Sequence, residues 1–513
     1  MAPKRILIVG GVSGGASAAA RTRRLDESAE IILFERGPDI SFANCGLPYH
    51  IGGTIGERDK LLVTSPAMMQ RRFRIDVRTQ TEIEFIDREA KEIVARNLAT
   101  GETCREKYDS LVLSPGAAPI RPPLPGINNP RILTLRNLAD MDRIIDALEG
   151  GASAAVIGGG YIGLEMAEAL AERNMKTTLV ELSPQVMGPA DPEMATPLHQ
   201  ELMRHGIDLR LNTSVKAFLN TGSDLELELS NGEKLMVDAA ILAIGVKPEA
   251  KLAIEAGLET GSTGGIKVND HMQTSDPAIY AVGDAVEVTD FVTGQPALIP
   301  LAGPANRQGR IAAENICGRD TVYRHTQGTA ICKVFDLAIG MTGLSEKTAR
   351  RLKIPYEKVY VHPMSHASYY PGAQPLTLKM LFAPDTGRIL GAQAVGADGI
   401  DKRIDVLAAA VRACLTVYDL EEMELSYAPP YGSAKDPINY AGFAAANALR
   451  GDVSLCHAED MLNPSASQKI LDVRTPREVS LGTIPGAQNI PVDELRSCID
   501  QLSRDVEWLV FCQ

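Results

Sequence analysis

Ala154-Ala-Val-Ile157-Gly158-Gly-Gly160-Tyr161-Ile162-Gly163-Leu164-Glu165 reads as an apolar strand that runs into a glycine loop and opens a helix. Gly158, Gly160 and Gly163 fit the G-x-G-x-x-G spacing, which lets the backbone turn sharply and approach a pyrophosphate seated on the helix N-terminus, with Tyr161 and Ile162 completing the loop. A second apolar strand, Thr177 to Val180, ends in Glu181. An acid there accepts a ribose 2′-hydroxyl and repels a 2′-phosphate, so NADH is expected over NADPH. The N-terminus carries an earlier copy: Ile6 to Val9, then Gly10-Gly11-Val12-Ser13-Gly14-Gly15, then Ile31 to Phe34 ending in Glu35-Arg36. Val12 stands where the fingerprint has its second glycine, but the strand context and the spaced acid restore the pattern. Two such loops predict an α/β protein with two Rossmann-like dinucleotide-binding domains, the first for FAD and the second for NADH.

The length of 513 residues allows three or four domains with ample core. Hydrophobic content of 45% and charged content of 23% are those of a globular protein. The net charge of -13 argues against a nucleic-acid partner, because phosphate backbones require a basic surface. The most apolar helical stretch, Ile404 to Tyr418, is broken by Asp405 and Arg412, so no membrane span is expected. Met1 to Ala20 loosely imitates a secretory leader, yet glycine interrupts its short apolar run and cleavage would destroy the first nucleotide loop. Eight cysteines are scattered without a Cys-x-x-Cys pair, which gives no metal signature and suits a reducing, cytoplasmic setting.

One cysteine stands apart. Ser41-Phe-Ala-Asn44-Cys45-Gly46-Leu-Pro48-Tyr49 follows the first fingerprint closely, and Asn44, Gly46 and Pro48 build a tight turn around Cys45. A dithiol reductase would need a second cysteine five residues on, where the chain has His50. The redox partner of Cys45 is therefore expected to be a small thiol, a persulfide or an oxygen atom. A nucleophilic sulfur must be a thiolate, so the turn amides, a helix N-terminus or a flavin is expected to lower its pKa. Cys104, Cys317, Cys332, Cys414, Cys456 and Cys498 read as buried packing cysteines.

The run Ser41 to Gly53, with the two fingerprints, resembles the coenzyme A disulfide reductase family and its NADH-dependent persulfide and polysulfide reductases, over roughly residues 4 to 450. The resemblance implies a single nucleophile, Cys45, that forms a mixed disulfide with CoA and is reduced by NADH through FAD. Ser41 and Asn44 would line the thiol site. Gly283-Asp284, after the short strand ending at Val282, resembles the site where an aspartate bonds the ribityl chain of FAD, and Ser114, Gly116 and Gly245 resemble the strand-to-glycine returns between the two nucleotide domains. Tyrosines from a partner subunit cover the cysteine in that family. Here the matching segments are Ser368-Tyr369-Tyr370-Pro371 and Tyr427-Ala-Pro-Pro-Tyr431, from which Tyr370 and Tyr431 are chosen without separating them from Tyr369 and Tyr427. The phosphates of CoA require cations, and Arg21 and Arg71 are the picks from two arginine runs.

The resulting plan places the FAD domain at 1–119 and 249–325, the NADH domain at 120–248 and a dimerisation domain at 326–450, with Ala330–Ile339 and Leu376–Phe382 strand-like and Ile400–Leu415 helical. From 460 to 513 the motifs Ile470-Leu-Asp472-Val-Arg474 and Trp508-Leu-Val-Phe511-Cys512 resemble part of a rhodanese domain, with Cys512 as its sulfur carrier and Thr483 where that motif usually has histidine. The sequence ends before the loop that would follow such a cysteine, so this piece reads as partial. The function implied is a homodimeric FAD- and NADH-dependent reductase of CoA disulfide, CoA persulfide or polysulfide, with CoA as substrate or bound group. Two alternatives are an NADH oxidase or peroxidase cycling Cys45 through sulfenic acid, and a flavin electron-transfer partner of a small redox protein.

Overall fold

The apolar run Arg5–Val9 becomes the central strand of a five-stranded sheet ordered 279–281, 110–113, 5–9, 30–34, 76–78, parallel throughout. These strands are nearly continuous in buried apolar side chains, as both faces of a parallel sheet require. A computed structural model describes residues 3–222 and 224–512. It divides into two compact units, Met1–Phe443 and Ala444–Gln513.

In the first unit a second parallel sheet repeats the plan, ordered 208–210, 176–180, 153–157, 239–242, 132–133. The repetition extends to single atoms. Gly10 N–H donates to Phe34 O and Gly158 N–H to Val180 O, both at 2.8 Å, while Ser114 N–H donates to Val9 O and Ala243 N–H to Ile157 O, both at 2.7 Å. A Cβ on Gly15 would lie 1.9 Å from Gly10 O, and one on Gly163 would lie 1.9 Å from Gly158 O, so glycine alone lets each helix start against its strand.

A third sheet is antiparallel, ordered 330–334, 337–343, 389–396, 376–382, 357–361. The helix Ile400–Arg412 lies on it closely enough that a Cβ on Gly340 would come 2.7 Å from Ile404. The strand expected over Ala330–Ile339 is broken: Phe335 takes φ 52° and the run folds into a hairpin of Ala330–Val334 and Leu337–Gly343. Its apolar residues continue on both sides of the turn, which hides the break from periodicity. The second unit contains a three-stranded parallel sheet ordered 488–489, 468–472, 507–511. No helix among the described residues is long and apolar enough to cross a membrane.

Candidate active site

The two glycine loops sit at the carboxyl ends of their parallel strands, where open α/β sheets bind ligands. Each acid at the end of the next strand folds back on its loop. Glu35 accepts Gly11 N–H at 2.8 Å and Gly37 N–H at 2.7 Å; Glu181 accepts Gly159 N–H and Ser183 N–H, both at 2.7 Å. Gly160 has open space where a Cβ would stand, and Gly14 is closed in by Val282 and Ser114. Arg36 beside Glu35 is tied to Glu249 at 3.2 Å, a carboxylate it shares with Arg136. Gly116, Gly245 and Gly283 take φ of 74°, 110° and 81°, the left-handed region that favours glycine at the returns. Asp284 lies in the single turn Gly283–Ala285 that follows the edge strand, and burial raises its pKa against the opposing pull of Arg136.

Cys45 occupies the middle of a 3-10 turn, Asn44–Gly46, that runs directly into the short helix Leu47–Ile51. Ser41, in a left-handed conformation of φ 47°, donates its N–H to Gly11 O at 2.8 Å and so pins this segment to the first loop. His50, where a second redox cysteine would be, turns its ring to the carbonyl of Ile55 at 2.6 Å. All eight cysteines are free. Only Cys332 of the six assigned to packing is buried; Cys317, Cys456 and Cys498 are half-buried. Cys104 lies on the exposed strand Thr103–Lys107, and Cys414 follows a helix end in a left-handed conformation, which keeps both on the surface.

A cavity of about 650 Å³ opens beside Cys45. Ser13, Ser41 and Asn44 line it near the first loop, and the helices Ser13–Leu25, Pro66–Phe73 and Ala302–Ile316 extend it. Arg21, Arg24, Arg72 and Arg310 also face it. Arg21 and Arg310 share Glu314, whereas Arg24 and Arg72 have no acidic partner among the described residues and rest on the Phe73 ring at 5.3 and 5.6 Å. Arg71 does not line the cavity; Arg72 does. The reason is helical phase. Met68, Met69, Arg72 and Phe73 share one face at spacings of three and four, and Arg71 is turned about 100° away from Arg72. The same phase sets Arg24 beside Arg21 on the helix that begins at Ser13, a signal the sequence carried and the reading of Arg21 alone passed over.

The four tyrosines stand outside this cavity. Tyr369 and Tyr427 bring their hydroxyls together at 2.8 Å, Tyr370 sets its edge on His366, and all of them, with Tyr431, are exposed. In the second unit Asp472 is fully buried and accepts a bidentate pair from Arg474 and a bond from Thr483 at 2.7 Å, while Cys512 is exposed just beyond the strand Glu507–Phe511.

Two dinucleotide cradles in tandem, a cysteine turn pinned to the first, and an antiparallel sheet after them match a known arrangement. The family model described as pyridine nucleotide-disulphide oxidoreductase matches residues 4–309, and the dimerisation domain of that family matches 329–436. The chain belongs to the pyridine nucleotide-disulphide oxidoreductase family. Coenzyme A disulfide reductase of Staphylococcus aureus is 38% identical over 444 residues, which are 86% of this chain and 99% of that one. Among solved structures, reduced CoADR-RHD of Bacillus anthracis is 50% identical and covers 100% of this chain and 92% of its own, with a TM-score of 0.97. The NAD-dependent persulfide reductase of A. fulgidus is 36% identical and covers 99% of this chain and 94% of its own, with a TM-score of 0.93. As a pyridine nucleotide-disulphide oxidoreductase, this protein is an FAD-dependent enzyme that works with NAD(H).

The electrostatics of this family member depart from the expectation for Cys45. Enclosure raises its thiol pKa, and the Glu165 and Asp284 carboxylates raise it further, outweighing the backbone hydrogen bond that acts the other way. The turn by itself therefore holds a thiol, not a thiolate.

Proposed function

We propose that this chain is an FAD-dependent NADH oxidoreductase that reduces CoA disulfide, CoA persulfide or polysulfide through Cys45. The observation that carries the reading is the shared cavity: the reactive cysteine and two uncommitted guanidiniums, Arg24 and Arg72, face one space. Arg24 stands eleven residues beyond Ser13 on a helix, roughly 16 Å along its axis. A long thiol with phosphates at its far end suits that separation, and arginine suits phosphates.

The first loop fits FAD: Gly10, Gly14 and Gly15 let the helix Ser13–Leu25 start tight against its neighbours, which presents its N-terminus to a pyrophosphate, while Glu35 would hold the ribose and Asp284 the ribityl chain. Bound there, FAD supplies the two-electron relay from NADH to the sulfur bond at Cys45. The protein's own part is positional. Ser41 holds the Cys45 segment against the loop, Asn44 lines the thiol site beside it, and the arginines orient the substrate so that its sulfur meets Sγ. Cys45 thiolate attacks the disulfide, forming Cys45–S–S–CoA and releasing one CoA thiolate; two electrons then return Cys45 thiolate and a second thiolate. With a persulfide substrate the product freed is sulfide.

Glu181, aimed at its glycine loop, favours NADH by repelling a 2′-phosphate. The exposed tyrosines Tyr370, Tyr427 and Tyr431 are proposed to reach Cys45 of a second copy in a homodimer, where a phenol can protonate a departing thiolate. The rhodanese-like tail, with Cys512 as its sulfur-carrying thiol, tips the choice of substrate toward sulfane sulfur.

Anaerobic NADH oxidation with each substrate in turn tests the reading. Arg72→Ala should raise KM for CoA disulfide by about tenfold, the loss of one phosphate contact, and leave polysulfide turnover unchanged. Arg71→Ala should change neither. NADH consumption that starts only when oxygen or peroxide is admitted would replace the proposal with the oxidase reading.

A further inference from the structure

The cysteine segment is anchored on one nucleotide domain and packed into the other. Its ends close on each other, Ala43 N–H donating to Leu61 O at 2.8 Å and Val63 N–H to Ser41 O at 3.0 Å, and Ser41 fastens them to the first glycine loop. Between those ends the buried side chains of Leu47, Ile51 and Leu61 join the apolar core around the second parallel sheet, with Leu138, Met141 and Ala169, rather than the core of the first. The polar contacts repeat this. Arg58 Nε and Nη2 donate to Asp142 at 2.9 and 2.8 Å. Arg173 ends the helix Tyr161–Glu172, which begins at the second glycine loop, and donates Nη1 to Ile51 O at 3.0 Å. A Cβ on Gly52 would lie 2.5 Å from Glu172 Oε2 and 3.1 Å from Ala169 Cα, so the chain touches that helix directly.

We propose that Arg173 is a positioning residue for Cys45, acting through the carbonyl of Ile51, with Gly52 setting how closely the cysteine segment approaches the second domain. The inference rests on the reading of Cys45 as the reacting thiol. Cys45 and Ile51 move as one piece, because the turn Asn44–Gly46 passes without a break into the helix Leu47–Ile51. Gly46 N–H donates to Ala43 O at 2.8 Å and Gly52 N–H to Pro48 O at 2.9 Å along that path. The Ile51 carbonyl is one of those a short helix leaves without an internal donor. The amide that a longer helix would offer it, Ile55 N–H, donates to Tyr49 O instead at 3.0 Å. Arg173 fills that place with a guanidinium from the other domain. Gly52 supplies the opposing limit: with no Cβ it lets the helix end rest on Ala169 and Glu172 while Arg173 holds it there. Arg24 and Arg72, which face the substrate cavity from the helices Ser13–Leu25 and Pro66–Phe73, are outside this seam. Arg173 therefore acts on where the sulfur stands and not on how the substrate phosphates are held.

The test mixes FAD-loaded protein, its thiols reduced and NADH left out, with CoA disulfide, quenches it rapidly and reads CoA added to the Cys45 peptide by mass spectrometry. Arg173→Ala should lower the rate at saturating CoA disulfide by about fivefold, as expected for a small misplacement of a reacting atom, and leave the half-saturating concentration unchanged. Arg173→Lys keeps a donor for Ile51 O and should restore most of the rate. Gly52→Ala, pushed off Ala169, should slow the addition at least as much as Arg173→Ala. Hydrogen exchange of the peptide spanning 45–55 should rise by about threefold or more in Arg173→Ala. Retained flavin absorbance shows that each variant is folded. An unchanged addition rate in Arg173→Ala and Gly52→Ala would overturn the assignment, even with faster exchange, since the seam would then be structural alone; so would a lysine variant as slow as the alanine one. No adduct in the wild-type protein would instead remove the reading of Cys45, and this inference with it.

Discussion

Cys45→Ser is expected to lower anaerobic turnover of CoA disulfide by about a thousandfold or more, because a hydroxyl can neither form nor release a disulfide. The loss should be confined to the sulfur half of the cycle. NADH should still bleach the yellow colour of the protein, since Glu181 and the second glycine loop are remote from the substitution in sequence and are built by a different sheet. That pattern separates loss of a nucleophile from loss of fold. A variant that kept turnover would show electrons leaving by a route that bypasses the thiol, as a reductase of a small redox protein would use. The His50 and Cys332 positions make this a clean experiment: the ring of His50 is engaged by Ile55, and Cys332 is a buried thiol unable to take over.

The second large effect concerns stability. Lys379, with a side chain 0% exposed, places its ammonium 2.8 Å from Asp191 and 2.5 Å from Glu346, and it also bonds Glu193. Lys358 reaches Glu346 at 3.0 Å, and Gln393 closes the network on Asp191 at 2.8 Å. Asp191 and Glu193 begin the helix Pro192–Arg204, next to the second parallel sheet, whereas the other partners belong to the antiparallel region, so the cluster ties the two together. Lys379→Met would leave buried carboxylates without their cation, which costs about 3–5 kcal/mol. A fall of roughly 3–5 °C in the thermal midpoint of this unit is expected from that loss. The network also sets an acid limit. Burial pushes the Glu346 carboxyl up, but Lys379, Lys358 and Tyr356 outweigh it and hold it down at about 2, below its ordinary 4.5. Its contribution is therefore fully present above about pH 4.5 and lost as the pH falls toward 2. Wild-type unfolding midpoints should drop across that window, and Lys379→Met should flatten the drop.

The nucleotide framework was legible because it is local. A strand, a glycine loop and an acid at fixed spacing are written in about thirty consecutive residues, and the folded loops at Gly10 and Gly158 repeat each other bond for bond. The tight turn around Cys45 was legible for the same reason. What the sequence withheld depends on partners distant in the chain. Gly52 and Ile51 read as ordinary loop-flanking residues until the fold lays them against Ala169, Glu172 and Arg173 of the second fingerprint's helix. The turn amides are visible in sequence, whereas the enclosure that raises the Cys45 thiol, and after it the carboxylates at 165 and 284, come from the fold. That Arg72 and not Arg71 lines the cavity follows from helical phase, which Pro66 at the helix start would have supplied. The hairpin at Phe335 was hidden because a left-handed phenylalanine carries no sequence signal of the kind glycine or asparagine gives.

The central claim, a mixed disulfide on a lone cysteine, is tested most directly by mass spectrometry of the oxidised protein after anaerobic exposure to CoA disulfide. The expected result is one CoA added to the peptide that contains Cys45, released as free CoA when NADH is supplied. An unmodified Cys45 peptide, or an adduct that NADH fails to release, would contradict the account.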